Sequence, residues 1–252
     1  MSHTAASRTT RTAERLSRLS LLGGFGLRHA GRPVAASPSA QRLLALLAVK
    51  QRAVSRTAAA ETLWPDALPD RGAASLRSAL WRLPAPEGVS LVEPCASGIR
   101  LSPHVEVDVR TVEQRAASLD DAGDAQPSTD VDVEVLCLDL LPDWPEEWLL
   151  VAREWFRQLR LHALEALCVR HRRAGRYEAA LRAGMAAVFC EPLRESAHRR
   201  VVEVHLSEGN DAEALREYHL YRRMLRDELG LAPSPKIRQL VAPLLGRPAD
   251  GG

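Results

Sequence analysis

The amino-acid sequence predicts a mostly α-helical chain in two successive parts. A head in which short strands bracket three helices comes first, and an all-α array of stacked helix pairs follows. Three observations point there. Charge is divided along the 252 residues: 1–104 carry 14 basic and 6 acidic side chains, 105–147 carry 2 and 13, and 148–252 return to +5 within an overall +2. Gly and Pro punctuate the first third at strand- and helix-sized intervals. A pattern beginning Gly175-Arg176-Tyr177-Glu178-Ala179-Ala180-Leu181 returns 34 residues later as Gly209-Asn210-Asp211-Ala212-Glu213-Ala214-Leu215, the period of a tetratricopeptide-like helix pair.

The elements follow in order. Residues 1–18 form a flexible basic arm with Arg8, Arg11, Arg15 and Arg18 at helical spacing. Apolar runs at 19–22 and 25–29, separated by Gly23-Gly24, read as short strands of a small sheet. Ser39 can cap a first helix to Lys50, its core side carried by Leu43, Leu44, Leu46 and Leu47. Ser55 caps a second through Ala59, Ala60, Leu63 and Trp64, ended by Pro65. Asp70 caps a third over 71–83, stopped by Pro84. Residues 89–92 and 99–101 then form a hairpin. Sheet, three helices and hairpin match a winged helix-turn-helix of the OmpR-like effector type. Its third helix is the reader, its hairpin the wing, and its span 19–104.

Beyond it, 105–252 form the helical part. A strand-like start leads to a short helix at 111–119 and an acidic link at about 120–132. A long helix runs from about Pro145 to Ala174, Pro145 opening its first turn. Trp148, Ala152, Trp155, Leu159, Ala163 and Ala166 make its apolar stripe, and the tryptophans are core. Pro192 opens the second repeat, and a last helix lies near 235–245.

On the third helix, Arg71, Ser75, Ser78 and Arg82 fall within about 60° of arc, at ~100° per residue. Leu76, Ala79, Leu80 and Leu83 cover the other side, with Arg77 and Trp81 at the flank. Two guanidinium groups with short hydroxyls between them suit a helix entering a major groove. Trp81 can stack on sugar or pack against the wing. Arg100 in the wing, Arg52 and Arg56 before the second helix, and Arg42 are either phosphate contacts or simply solvated cations. Gly98 supplies the turn of the wing.

Several classes drop out. No nucleophile is paired with a base, and no G-x-S-x-G or G-x-x-x-x-G-K-[ST] is present, so no catalytic set and no enzyme is expected. Eight scattered His and four distant Cys give no metal site or disulfide framework, and no cofactor is expected. The cysteines read as small buried hydrophobes. No apolar run approaches a membrane span or a secretory signal, which places the chain in the cytoplasm, associated with the nucleoid.

The residues resemble a known family, the Streptomyces antibiotic regulatory proteins. In the head the likeness rests on Leu21-Leu22-Gly23-Gly24-Phe25-Gly26-Leu27, Gly31-Arg32-Pro33-Val34, Arg42-Leu43-Leu44-Ala45-Leu46-Leu47-Ala48, Leu63-Trp64 and Leu76-Arg77-Ser78-Ala79-Leu80. In the second part it rests on Leu140-Leu141-Pro142-Asp143-Trp144, Glu191-Pro192-Leu193-Arg194-Glu195 and Asp227-Glu228-Leu229-Gly230, which look like a bacterial transcriptional activator domain. The resemblance implies a pathway-specific activator of antibiotic biosynthesis. It implies that two protomers bind direct repeats of double-stranded promoter DNA side by side and recruit RNA polymerase holoenzyme through its sigma factor. By position it assigns Arg71, Ser75, Ser78 and Arg82 to the reader and Arg100 to the wing. A second reading, favoured by the early stop at Pro84, is a protein-interaction adaptor that works through its tetratricopeptide-like half and keeps a degenerate head.

Overall fold

The computed structural model describes residues 17–121 and 132–246. The basic arm up to residue 16 and most of the acidic link lie outside them. The chain divides into two units: residues up to Val112 with Asp139–Glu154, and Glu113–Leu138 with the chain from Trp155 onward.

In the first unit, β1 (Ser17–Ser20) pairs antiparallel with β2 (Gly26–His29), which pairs with β3 (Arg32–Pro33). β1 thus begins two residues inside the stretch expected to be flexible, and Arg18 pairs with Glu106 at 2.8 Å. Strand β6 (Val105–Val107) adds to β1 in parallel and gives the order β3-β2-β1-β6. Leu19, Leu27, Val105 and Val107 are buried while Arg18, Arg28 and Glu106 face out, the period-2 alternation of a sheet with one covered face. The Asp108 carboxylate accepts the amides of Leu21 and Leu22 at 2.9–3.0 Å. Burial pushes this carboxyl up even though the amides favour its ionised form.

Helix α1 (Pro38–Lys50) is capped by Ser37, not Ser39, because Pro38 occupies the first helical position and the cap must precede it. Leu43, Leu44, Leu46 and Leu47 are buried as expected. Ser55 caps α2 (Arg56–Leu63), accepting the Ala58 amide at 3.1 Å. Helix α3 spans Pro69–Trp81 instead of 71–83. Pro69 opens it, so Asp70 sits in the first turn and not at the cap. Pro84 drives the residue before it away from helical backbone, and the helix closes with Arg82 as its C-cap.

The wing is β4 (Val92–Cys95) paired with β5 (Gly98–Leu101). Its first strand lies later than the expected 89–92 because a two-residue connection, Ala96-Ser97, sets the register. Helix α4 (Asp108–Asp121) is longer than the expected 111–119, its start fixed by Asp108.

The first unit is completed by residues 139–154. An antiparallel bridge joins Leu140 to Leu22, and the Gly23 amide donates to the Asp139 carbonyl at 2.8 Å. Trp144 stacks on Phe25 with ring centres 6.0 Å apart. Here the expected long helix differs. Pro145 lies outside any helix, Glu147–Leu149 form a 3-10 turn, and α6 starts at Leu150 and runs to Arg173. The buried side chains of α6 are Phe156, Arg160, Leu161, Ala163, Leu164, Leu167, Cys168 and His171, so Ala163 of the expected stripe is buried while Trp155 is exposed and Trp148 half-buried. Of the four cysteines only Cys168 is buried; the other three are partly exposed.

In the second unit, α5 (Val133–Leu136) precedes the array α6, α7 (Tyr177–Cys190), α8 (Glu195–Glu208), α9 (Asp211–Leu229) and α10 (Pro235–Leu245). The 34-residue repeat has a direct physical basis. Gly175 and Gly209 take left-handed φ of +70° and +83° where α6 and α8 end. The equivalent Ala180 and Ala214 are fully buried, so each following helix can pack closely. Val202, Tyr218, Tyr221, Leu225, Ile237 and Val241 make one apolar core across α8, α9 and α10.

Candidate nucleic-acid interface

The site begins with how α3 lies on α2. Gly72, Leu76 and Ala79 are its buried side. A side chain at Gly72 would meet the Ala60 methyl at 3.7 Å, so small residues on both helices let them approach closely. The opposite face carries Arg71, Ala74, Arg77 and Trp81, all exposed, and Trp81 is 87% exposed. Ser75 and Ser78 are half-buried on its edge, and Arg82 is exposed at the C-cap. The outward face is therefore turned by roughly a quarter turn from the one the spacing predicts. Arg77 and Trp81, placed at the flank by sequence, are at its centre. The reason is the core side: Leu83 lies beyond the helix and Leu80 is only half-buried, so Gly72 and Ala79 decide the rotation.

Arg71, Arg77 and Arg82 form no ion pair among the described residues. Arg56 and Arg77 line one groove of about 390 Å³ between α2 and α3, with Glu61 and Asp70 on its rim. Arg71 lines a second, more open groove with Arg42, Leu68 and Glu146.

The wing is fastened to the start of α2. Val54 and Ile99 exchange backbone hydrogen bonds of 2.8 and 2.9 Å. Arg52 precedes this bridge by two residues and Arg100 follows Ile99, so the fold brings these two exposed cations to one edge. Gly98 does more than turn the wing. At φ +138°, a Cβ there would lie 2.1 Å from the Val54 carbonyl oxygen. Arg100 is not free: it pairs with Glu93 at 3.1 Å. Glu93 also accepts the Ser102 hydroxyl at 2.8 Å, and these two partners, Ser102 foremost, hold its carboxyl below the usual range.

One expected phosphate candidate takes another role. Arg42 donates to the Leu63 carbonyl at 2.5 Å, pairs with Glu146 at 2.7 Å and lies over the Trp64 ring. It is an internal tie. Sequence reasoning missed Glu93 as the partner of Arg100, although opposite charges facing each other across a hairpin are a readable signal. Among the described residues no group of three or more His, Cys, Asp or Glu could hold a metal ion, and no helix is long and apolar enough to cross a membrane.

A small sheet, three helices and a hairpin fastened to the second helix define a winged helix-turn-helix, carried here with a tetratricopeptide-like array. Residues 137–245 match the family model of the bacterial transcriptional activator domain. Regulatory protein AfsR of Streptomyces coelicolor is 27% identical over 221 residues, covering 83% of this chain and 22% of AfsR, so the chain spans about a fifth of that relative's length. Among solved structures, Mycobacterium tuberculosis EmbR in complex with a low-affinity phosphopeptide superposes with a TM-score of 0.74 at 22% identity, over 93% of this chain and 66% of that one. The fold is thus that of EmbR. Over residues 137–245 the chain is thus similar to bacterial transcriptional activator domains, and over most of its length to a Streptomyces regulatory protein.

Proposed function

We propose that this chain activates transcription by binding promoter DNA through residues 19–104 and engaging the transcription machinery through residues 105–252. The observation that carries the reading is the outward face of α3. It presents Arg71, Arg77 and Arg82 with no ion-pair partner among the described residues, on a head whose first 104 residues carry net +8. Such a face fits the major groove, where Arg reads guanine or phosphate. Arg77 takes the central position, Arg71 and Arg82 flank it, and Ser75 and Ser78 leave room for the duplex. Arg52, Arg56 and Arg100 reach phosphates on either side. The family resemblance supports the finer reading. Two protomers bind direct repeats side by side, RNA polymerase holoenzyme is recruited through its sigma factor, and the regulated genes make an antibiotic.

The test is binding of the purified full chain to its own upstream DNA and to a scrambled duplex across a salt series. Preference for the upstream DNA, with affinity falling steeply as salt rises, is the expected result. Equal weak binding to both duplexes refutes it and favours an adaptor role for the helical half.

A further inference from the structure

Trp81, the last residue of α3, is 87% exposed, and its indole makes no ring contact and no side-chain hydrogen bond among the described residues. Three other tryptophans are fixed by partners. Trp64 lies under the Arg42 guanidinium, Trp144 stacks on Phe25, and Trp148 donates to Glu146. At ~100° per residue, Trp81 stands roughly 170° around the helix from the middle of the Gly72, Leu76 and Ala79 side that meets α2. It therefore lies on the outward line of α3, one turn beyond Arg77. Ala74, two turns earlier on the same line, is exposed and too small to cover the ring. Because Pro84 ends α3 at Arg82, no later turn of the helix covers it either.

An aromatic ring of this size is a large apolar surface to leave in water, and whatever covers it must meet two conditions at once. It must carry negative charge, because Arg71, Arg77 and Arg82 stand around the indole with no ion-pair partner among the described residues. It must also offer an apolar spot within reach of Arg77. A second copy of the head fails the first condition, since residues 1–104 carry net +8 and like charges repel. The major groove meets both. Guanine N7 and O6 accept from arginine, and the thymine 5-methyl is the apolar group displayed in that groove. We propose that Trp81 is a specificity-determining residue whose indole packs on the 5-methyl group of a thymine in the major groove. The inference rests on the promoter-binding reading above and adds a base-reading residue to it.

The spacing sets what is read. Arg77 and Trp81 are about 6 Å apart along the axis of α3, close to two base-pair steps of about 3.4 Å each. The pair therefore addresses a short element that holds a guanine for Arg77 and, one or two steps away, a thymine for Trp81. The two side chains also differ in what they respond to. Trp81 has one N–H donor and no charge, so it neutralises no phosphate and its contribution is independent of salt. That of the arginines falls as salt rises.

The test titrates the full-length native and Trp81→Ala proteins against the upstream duplex and against the same duplex made with deoxyuridine in place of thymine, which removes only the 5-methyl groups. A scrambled duplex reports separately on promoter preference. The native chain should bind the deoxyuridine duplex about fourfold more weakly for each methyl covered. Trp81→Ala should keep its helicity and its salt dependence, bind the ordinary duplex more weakly than the native chain, and fail to distinguish the two duplexes. Trp81→Phe should restore the discrimination. A native chain that prefers the upstream to the scrambled duplex, yet binds the thymine and deoxyuridine forms equally, overturns the inference and leaves the promoter-binding reading standing. Discrimination that survives in Trp81→Ala overturns it too, because another residue then reads the methyl. No preference for the upstream over the scrambled duplex overturns the promoter-binding reading and this inference with it.

Discussion

Arg42 Nε lies 2.7 Å from Glu146 Oε1, joining α1 to a point 104 residues further along the chain. Glu146 also accepts the Trp148 indole N–H at 2.8 Å, so one carboxylate anchors the 3-10 turn before α6 to the helix-turn-helix. Both partners are mostly buried, and removing either leaves a charge uncompensated. Glu146→Ala should therefore destabilise the head by about 2–4 kcal/mol, read as a lower denaturant midpoint. Arg42→Ala should do the same while leaving the salt dependence of DNA binding unchanged. A reduced salt slope for Arg42→Ala would return this residue to the phosphate contacts.

Glu93 pairs with Arg100 across the wing hairpin. If the wing contacts phosphates as proposed, Glu93→Gln should tighten DNA binding several-fold at low salt, measured by fluorescence anisotropy, and less at high salt. The same residue gives a pH signature. Its carboxyl is held below the ordinary 4.5, so its contribution to folding is present above that value and lost as pH falls through the folded value. Thermal melts between pH 5 and 3 should fall more steeply for the native chain than for Glu93→Gln.

Gly98 is required by space as well as by backbone angle. Gly98→Ala places a methyl group against the Val54 carbonyl, a contact only backbone movement can relieve. The wing should detach from α2 at a cost of about 2 kcal/mol or more. Hydrogen exchange at the amides of Val54 and Ile99, which close the bridge, should accelerate; unchanged protection would show that the bridge tolerates the shift.

The helical half holds a buried polar pair. His198 is fully buried, with Nδ1 2.6 Å from Glu217 Oε1 and Nε2 2.8 Å from the Pro192 carbonyl oxygen, and its ring lies against Tyr221. Pro192 shapes the loop between α7 and α8, so the histidine joins that loop to α9. His198→Ala should lower the stability of this half by about 3 kcal/mol, seen as an earlier melting transition in circular dichroism, with DNA binding by the head intact.

The head's elements were legible where local chemistry decides them. Pro65 and Pro84 stop helices, Ser55 caps one, and Gly23-Gly24 separates two strands. The 34-residue repeat was legible because the same backbone need recurs at Gly175 and Gly209, and the same packing need at Ala180 and Ala214. What escaped depends on distant partners. Val105–Val107 join the sheet across most of the head, and residues 139–154 pack on it through Arg42, Phe25 and Leu22, none of which marks its partner locally. The α3 face was misjudged for a related reason. Of the expected core side, Leu76 and Ala79 are buried, but Leu80 and Leu83 are only half-buried, and Gly72, too small to count as apolar, completes the buried face against α2. Of the stripe expected along this helix, Ala163 is buried but Trp155 is exposed, because α6 buries the neighbouring face that carries Phe156, Leu164 and Leu167.

Arg77 lies at the centre of the exposed α3 face and lines the groove with Arg56, so it carries the central claim. Titration of the Arg77→Ala chain against its own upstream duplex, with circular dichroism as the folding control, tests that claim most directly. The expected result is a loss of affinity of about tenfold or more at unchanged helicity, as for removal of one base-reading guanidinium. Native affinity in a folded Arg77→Ala protein would contradict the account.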